Sequence, residues 1–197
     1  MRISIRGTVQ GVGFRPAVFR AAVAAGANGT VRNDGSVVTV ETDRSILDGI
    51  IRNLPPLAVI ESVSIDDIPY QGPKGFRVIE SSEGTGGVSI PADTAVCDRC
   101  LRDMSEGRRK GYPFTTCTDC GARFTLMRSL PYDRDKTSLN DFPMCQMCKD
   151  EYVDPKDRRF HHQTVCCPEC GPGYVLSDRN GKTLPGDPIA GFASMLS

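Results

Sequence analysis

The sequence predicts an α+β protein in two units, a ferredoxin-like βαββαβ domain followed by a small unit organised around cysteines. Three observations predict it. Through the first 80 residues the apolar pattern switches between a period of 2 and a period near 3.6, in the order strand, helix, strand, strand, helix, strand. All nine cysteines then fall between Cys97 and Cys170, leaving the first unit with none. Between the two runs SSEGTGGVSIPAD, rich in small residues and suited to a loose connection. The expected organisation is a first domain over 1–80, a linker over 81–96, a cysteine-based domain over 97–175 and a tail over 176–197.

The elements follow from local pattern. In MRISIRG, Ile3 and Ile5 alternate with polar residues as in a half-buried strand over 3–9. In AVFRAAVAAG, Val18, Phe19, Ala22 and Val23 recur at helical spacing, which predicts a helix over 16–26 with Pro16 at its first position and Gly26 at its stop. Asn33-Asp34-Gly35 is a hairpin signal, and SVVTVET after it supplies the return strand. Asp43 is a plausible cap for a second helix carrying Ile46, Ile50, Ile51 and Leu54, which Pro55-Pro56 ends. VIESVSIDDI and the short GFRVIE both alternate and complete the sheet.

The strand-to-helix turn, TVQGVGFRP, carries chemistry. Gly11 and Gly13 admit backbone conformations closed to other residues, and successive peptide N–H groups in such a turn form an anion-binding concavity. The following helix aims its positive end at the same spot, and Arg15 adds a planar fork of donors matched to phosphate oxygens. On residue types alone the stretch is either an anion cradle over Gln10, Gly11, Val12, Gly13, Phe14 and Arg15, or a tight turn with an arginine in solvent. Asn33 likewise reads as a turn residue before Asp-Gly. The run GTVQGVGFRP, with VRNDGSVVTVE downstream, resembles the acylphosphatase signature. That resemblance implies that residues 10–15 bind phosphate, that Arg15 is the catalytic phosphate-binding arginine and that Asn33 positions the attacking water. An acyl phosphate is an activated mixed anhydride, so its hydrolysis needs mainly charge neutralisation and an in-line water.

The second unit contains four Cys-x-x-Cys pairs, 97/100, 117/120, 145/148 and 167/170. In an intracellular protein such pairs read as tetrahedral zinc sites, whereas in an oxidising compartment they would read as disulfides. An internal repeat suggests how they group. CDRCLRDM resembles CQMCKDEY, each is followed by a basic stretch (RRK or DRR), and each then meets CxxCG. The simplest assignment places Cys97, Cys100, Cys117 and Cys120 on one zinc and Cys145, Cys148, Cys167 and Cys170 on the other. A crossed grouping, outer pairs on one ion and inner pairs on the other, stays open. Cys166 is spare, and His161 and His162 read as packing or surface residues.

Composition excludes some functions. Net charge is zero, and residues 97–170 carry 13 Lys and Arg against 12 Asp and Glu, so eight thiolates on two dications leave that segment net negative. Such a unit is a poor phosphodiester binder, and no nucleic-acid partner is expected. No apolar run approaches the roughly 20 residues of a membrane span, so no membrane partner is expected either and the chain reads as cytoplasmic. The acylphosphatase-like unit, the paired finger pattern and the intervening PYDRDKTSLNDFPMCQMCKDEYVDPKDRRFHHQTVCCPECGP together resemble the N-terminal part of the HypF family, carbamoyltransferases of nickel–iron hydrogenase maturation. The resemblance implies carbamoyl phosphate as substrate, two structural zinc ions and, in the whole enzyme, a maturation partner protein that accepts the carbamoyl group, later the cyanide ligand of iron. It also implies that 176–197 leads toward a nucleotide-binding domain and that the sequence is a truncated N-terminal piece. A second reading is a zinc-dependent interaction module whose first domain is inactive.

Overall fold

The computed structural model describes residues 1–82 and 93–196; most of the expected linker lies outside them. The first unit contains β1 (Arg2–Thr8), α1 (Phe14–Ala24), β2 (Gly29–Asp34), β3 (Val37–Thr42), α2 (Leu47–Arg52), β4 (Val59–Asp66) and β5 (Phe76–Val78). The strands form one sheet in the order β4-β1-β3-β2-β5, antiparallel except for β2 and β5. Register explains the alternating pattern. Ile3 stands opposite Val40, Ile5 opposite Val38 and Val31 opposite Val40, so one face of the sheet is apolar. That face is covered by Val18, Ala21 and Ala22 of α1 and Ile50 of α2, all buried in a single core with Phe14 and Phe76.

Two boundaries differ from the sequence reading. α1 begins at Phe14 rather than Pro16, because Gly13, at φ 78°, turns the chain into the helix without any side-chain cap. Pro16 is therefore its third residue, still within the first turn, where a missing N–H costs no intrahelical bond. α2 spans six residues and starts after Ile46; Asp43 does not cap it. The Asp43 carboxylate instead accepts from the Asn28 backbone N–H at 2.9 Å and from Asn28 Nδ2 at 2.7 Å, closing the end of the β2–β3 ladder.

The second unit is assembled differently. Its helices α3 (Asp98–Ser105) and α4 (Gln146–Val153) each start directly after the first cysteine of a pair, and bury the second, Cys100 or Cys148. The repeat is interlocked. Arg158, from the second half, donates to Cys100 Sγ at 2.9 Å and pairs with Asp103 on α3. Arg108, from the first half, donates to Cys148 Sγ at 3.3 Å and pairs with Glu151 on α4 at 2.8 Å. Arg109 and Arg159, both buried, repeat the exchange on Glu151 and Asp103 respectively. Each half thus supplies the counter-charge for the other half's thiols and helix.

The units are docked through α1. Phe19 packs on Phe160 with ring centroids 5.1 Å apart, and Arg20 donates to the carbonyls of Pro155 at 2.8 Å and Asp157 at 2.9 Å. Among the described residues no helix is long and apolar enough to cross a membrane.

Candidate anion site and thiolate centres

The turn after β1 lies beneath the second unit. Gly11 and Gly13 adopt φ of 70° and 78°, the left-handed region that favours glycine, and each also faces a neighbour too close for a Cβ. A Cβ on Gly11 would stand 2.7 Å from the Ala122 Cβ, and one on Gly13 would stand 2.8 Å from the Thr118 Cβ. The N–H groups of Gly11, Val12 and Gly13 reach no acceptor among the described residues, and α1 starts immediately behind them. Gln10 is buried and ties the turn to the β2–β3 hairpin by donating from Nε2 to the Gly35 carbonyl at 2.7 Å. The turn is therefore rigid, rich in free donors and closed over by the second unit, a combination suited to an anion.

Arg15 lies in the first turn of α1 and does not stand in solvent: it is 9% exposed, with its guanidinium turned toward the second unit. Nη2 pairs with Asp133 Oδ1 at 2.6 Å and donates to the Tyr132 carbonyl at 3.2 Å, while Nη1 donates to Ser81 Oγ at 3.2 Å. Asn33, on β2, is 1% exposed, and neither Oδ1 nor Nδ2 has a hydrogen-bond partner among the described residues. A buried primary amide left with both ends open is costly unless something else completes it. Arg15 and Asn33 are linked through the next segment, since Ser82, whose backbone N–H donates to the Asn33 carbonyl at 2.9 Å, follows the Ser81 that binds Arg15.

Two cavities flank the arginine. A small one, about 20 Å³, is lined by Gln10, Gly11, Gly13, Phe14 and Arg15 together with Thr118 and Tyr132. A larger cleft, about 490 Å³, runs from Arg15 past Ser81 to Asp133, Arg134, Lys136 and His161. Asn33 lines neither. His161 has a left-handed backbone (φ 51°), and burial lowers its imidazole to about 4, so it is neutral at pH 7. Sequence reasoning missed Asp133, Tyr132, Thr118 and Ala122. No periodicity marks them, and Asp133 meets Arg15 across 118 residues of chain.

The cysteines form two groups, Cys97, Cys100, Cys117 and Cys120, and Cys145, Cys148, Cys167 and Cys170, with the sulfurs of each set within 4.8 Å of one another. This is the sequence-adjacent grouping and not the crossed one. Sulfur–sulfur separations are 3.7 Å for Cys97–Cys117, 3.8 Å for Cys100–Cys120 and 3.9 Å for Cys117–Cys120 in the first set. In the second they are 3.7 Å for Cys145–Cys167, 3.7 Å for Cys167–Cys170 and 3.6 Å for Cys148–Cys170. A disulfide needs about 2.05 Å. Four thiolates bound at about 2.3 Å around a tetrahedral ion have edges of about 3.8 Å, so both sets fit one. The arginines on Cys100 and Cys148 fit sulfurs that carry negative charge. Cys166, buried and free, belongs to neither set and receives a hydrogen bond from the Tyr112 hydroxyl at 3.5 Å.

A ferredoxin-like sheet with a glycine-rich, arginine-bearing turn defines the first unit as an acylphosphatase-family domain, and residues 1–78 match the Acylphosphatase family model. An acylphosphatase of Caldivirga maquilingensis is 41% identical over 83 residues, covering 39% of this chain and 85% of that protein. Residues 96–127 and 144–177 match the model of the HypF finger. The carbamoyltransferase HypF of Rhodobacter capsulatus is 44% identical over 204 aligned residues, covering 99% of this chain and 27% of that protein. A crystal structure of full-length HypF in its phosphate- and nucleotide-bound form superposes with a TM-score of 0.87 at 40% identity, over 99% of this chain and 27% of that one. The chain belongs to the HypF family, whose N-terminal part it matches, and spans about a quarter of the length of these relatives.

Proposed function

We propose that the turn formed by residues 10–15, with Asn33, hydrolyses carbamoyl phosphate as the first step of carbamoyl transfer in nickel–iron hydrogenase maturation, and that each cysteine set holds one structural zinc. The observation that carries the catalytic reading is the buried constellation itself: backbone donors at a helix start with no acceptor among the described residues, Arg15 beside them, and a buried Asn33 amide that also meets no partner among them. The donors and Arg15 neutralise the phosphoryl group, and Asn33 orients a water in line with the bond to be broken. The water oxygen bonds to phosphorus, the bond from phosphorus to the carbamoyl oxygen breaks, and carbamate leaves with the electron pair. The side chains required are donors; no nucleophilic side chain takes part. Full-length HypF in its phosphate-bound form supports a phosphate site in a protein of this kind.

Zinc would supply a closed, four-thiolate cross-link and no chemistry at the anion site. A reducing, cytoplasmic compartment keeps eight thiols available for it. In the whole enzyme the carbamoyl group would pass to a maturation partner protein, where it becomes the cyanide ligand.

The test is phosphate release from carbamoyl phosphate, with acetyl phosphate alongside, by the purified chain and two variants. Arg15→Ala lowers turnover and weakens inhibition by inorganic phosphate together. Asn33→Ala lowers turnover on the order of 10²- to 10³-fold and leaves phosphate inhibition nearly intact, as expected for one preorganised donor used in the attack. Full turnover in Asn33→Ala would place the chemistry elsewhere. A parent chain that hydrolyses neither compound would favour the second reading, an interaction module with its arginine occupied by Asp133.

A further inference from the structure

We propose that Asp133 is a specificity-determining residue, the group by which this site prefers a carbamoyl phosphate to acyl phosphates without N–H donors. The inference deepens the proposed function and rests on its assignment of the phosphoryl group to Arg15.

The phosphate-binding turn contains no acid: TVQGVGFRP is free of Asp and Glu. The carboxylate at its arginine comes from the finger unit, 118 residues away, and sits at 2.6 Å from Arg15 Nη2. Both side chains are largely withdrawn from water, at 10% exposure for Arg15 and 22% for Asp133. Of the acids that line the cleft beside Arg15, which are Glu80, Asp133 and Asp135, Asp133 alone pairs with it among the described residues, and Asp34 of the β2–β3 hairpin accepts from Ser82 Oγ at 2.7 Å. A carboxylate in this position is a liability for a general acyl phosphatase. A phosphoryl group arriving at Arg15 puts a second anion on the same guanidinium, in a site where like charges are poorly screened. With an acetyl group attached, the carboxylate gains nothing in return: it faces a methyl group and loses hydration.

A carbamoyl group changes the balance. Its amide nitrogen carries two N–H donors, and the site presents two acceptors side by side at the arginine, the Asp133 carboxylate and the Tyr132 carbonyl. The first N–H bonds to Asp133 and the second to Tyr132, so the carboxylate that repels the phosphoryl group is satisfied only by this acyl group. A site built around hydrogen bonds to a substrate N–H rejects the analogue that lacks it far more strongly than an apolar pocket can, because its own buried acceptors are then left unpaired. Ser81, the third partner of Arg15, is a hydroxyl and does not discriminate by charge.

The experiment compares kcat/KM for carbamoyl phosphate and for acetyl phosphate, and the inhibition constant of inorganic phosphate, in the parent chain, Asp133→Asn and Asp133→Ala. The parent prefers carbamoyl phosphate. In Asp133→Ala, kcat/KM for carbamoyl phosphate falls on the order of 10²-fold while that for acetyl phosphate rises several-fold, and phosphate inhibits several-fold more tightly. Asp133→Asn keeps shape and one acceptor oxygen, so it gains equally on acetyl phosphate but loses only about tenfold on carbamoyl phosphate; it also carries the test if the alanine variant misfolds. A parallel fall on both substrates, with weaker phosphate inhibition, would show that Asp133 merely orients Arg15 and would overturn the inference. Equal use of both substrates by the parent would overturn it too, while leaving an acyl phosphatase in place. Hydrolysis of neither would remove the underlying reading instead.

Discussion

The two units reach a fixed structure by opposite means. The first buries sixteen side chains in one continuous apolar core and needs no cross-link. The second divides its buried apolar groups among three small clusters, each including cysteines, and gives much of its interior to arginines, threonines and histidine. Burial of apolar area, at roughly 25 cal/mol per Å², suffices for a sheet covered by helices and falls short for loops wound around polar groups. What replaces it is local charge. Thiolates, carboxylates and guanidinium groups are brought together in pairs that would be unfavourable singly. The lesson is that the first unit tolerates loss of any one contact by degrees, whereas the second depends on a few groups whose loss strands another charge.

The largest test of that contrast is metal removal. A strong chelator unfolds residues 97–175 and leaves the sheet of the first unit, as read by amide exchange; structural zinc is worth about 10–16 kcal/mol in isolated fingers. Unfolding of both units together would break the comparison. Next in size is Arg158→Ala. It takes the guanidinium donor from Cys100 Sγ and leaves Asp103 with Arg159 alone, at a cost of about 1.5–3 kcal/mol. Because of the exchange between halves, it weakens metal at the Cys97 set by 10- to 100-fold and spares the Cys145 set, although Arg158 lies in the second half. Competition with a chromogenic chelator separates the two sites.

Acidification gives a smaller and more selective effect. His162, wholly buried with Thr116 Oγ1 2.8 Å from its Nε2, is lowered to about 3 by burial. Its folded value lies below the ordinary 6.5, so beneath pH 6.5 the unfolded chain binds a proton that the folded chain refuses. Stability is therefore lost as pH falls from 6.5 toward 3, by about 1.4 kcal/mol per unit once the unfolded group is charged. Urea midpoints at pH 6.5 and 5.5 show the loss, and His162→Gln removes that part of the slope. Both histidines lie in the second unit, so the first should not follow. The smallest effect is Ile5→Val, about 1 kcal/mol confined to the first unit, measured as a shift in its own unfolding transition.

Features governed by neighbours in sequence were legible before any coordinates. The alternation of Ile3 and Ile5, the hairpin signal at Asn33-Asp34-Gly35 and the Cys-x-x-Cys spacing each express a local geometry, and the structure contains the corresponding strand, a hairpin that turns at Gly35-Ser36 with Asn33 and Asp34 still paired in β2, and the sulfur clusters. The start of α1 was misplaced because a left-handed Gly13 opens it without a polar cap, leaving no capping residue to read. The exchange of arginines was half visible: Arg108 aligns with Arg158 and Asp103 with Glu151 in the repeat, but alignment does not say that the partners cross over. The contact of Arg15 with Asp133 had no signature, since a pair so distant in the chain is set only by how the two units dock.

The closeness of Gly11 and Gly13 to Ala122 and Thr118 gives this protein an order of assembly. During synthesis the glycine turn emerges early, and its sheet can fold as soon as the first unit is complete. The surface that closes over it follows more than a hundred residues later, and the entropy of closing so long a loop must be met before Asp133 reaches Arg15. The turn is thus first made and last finished. Its completion is timed by the arrival of a distant segment, whose own fold is set around the two cysteine clusters.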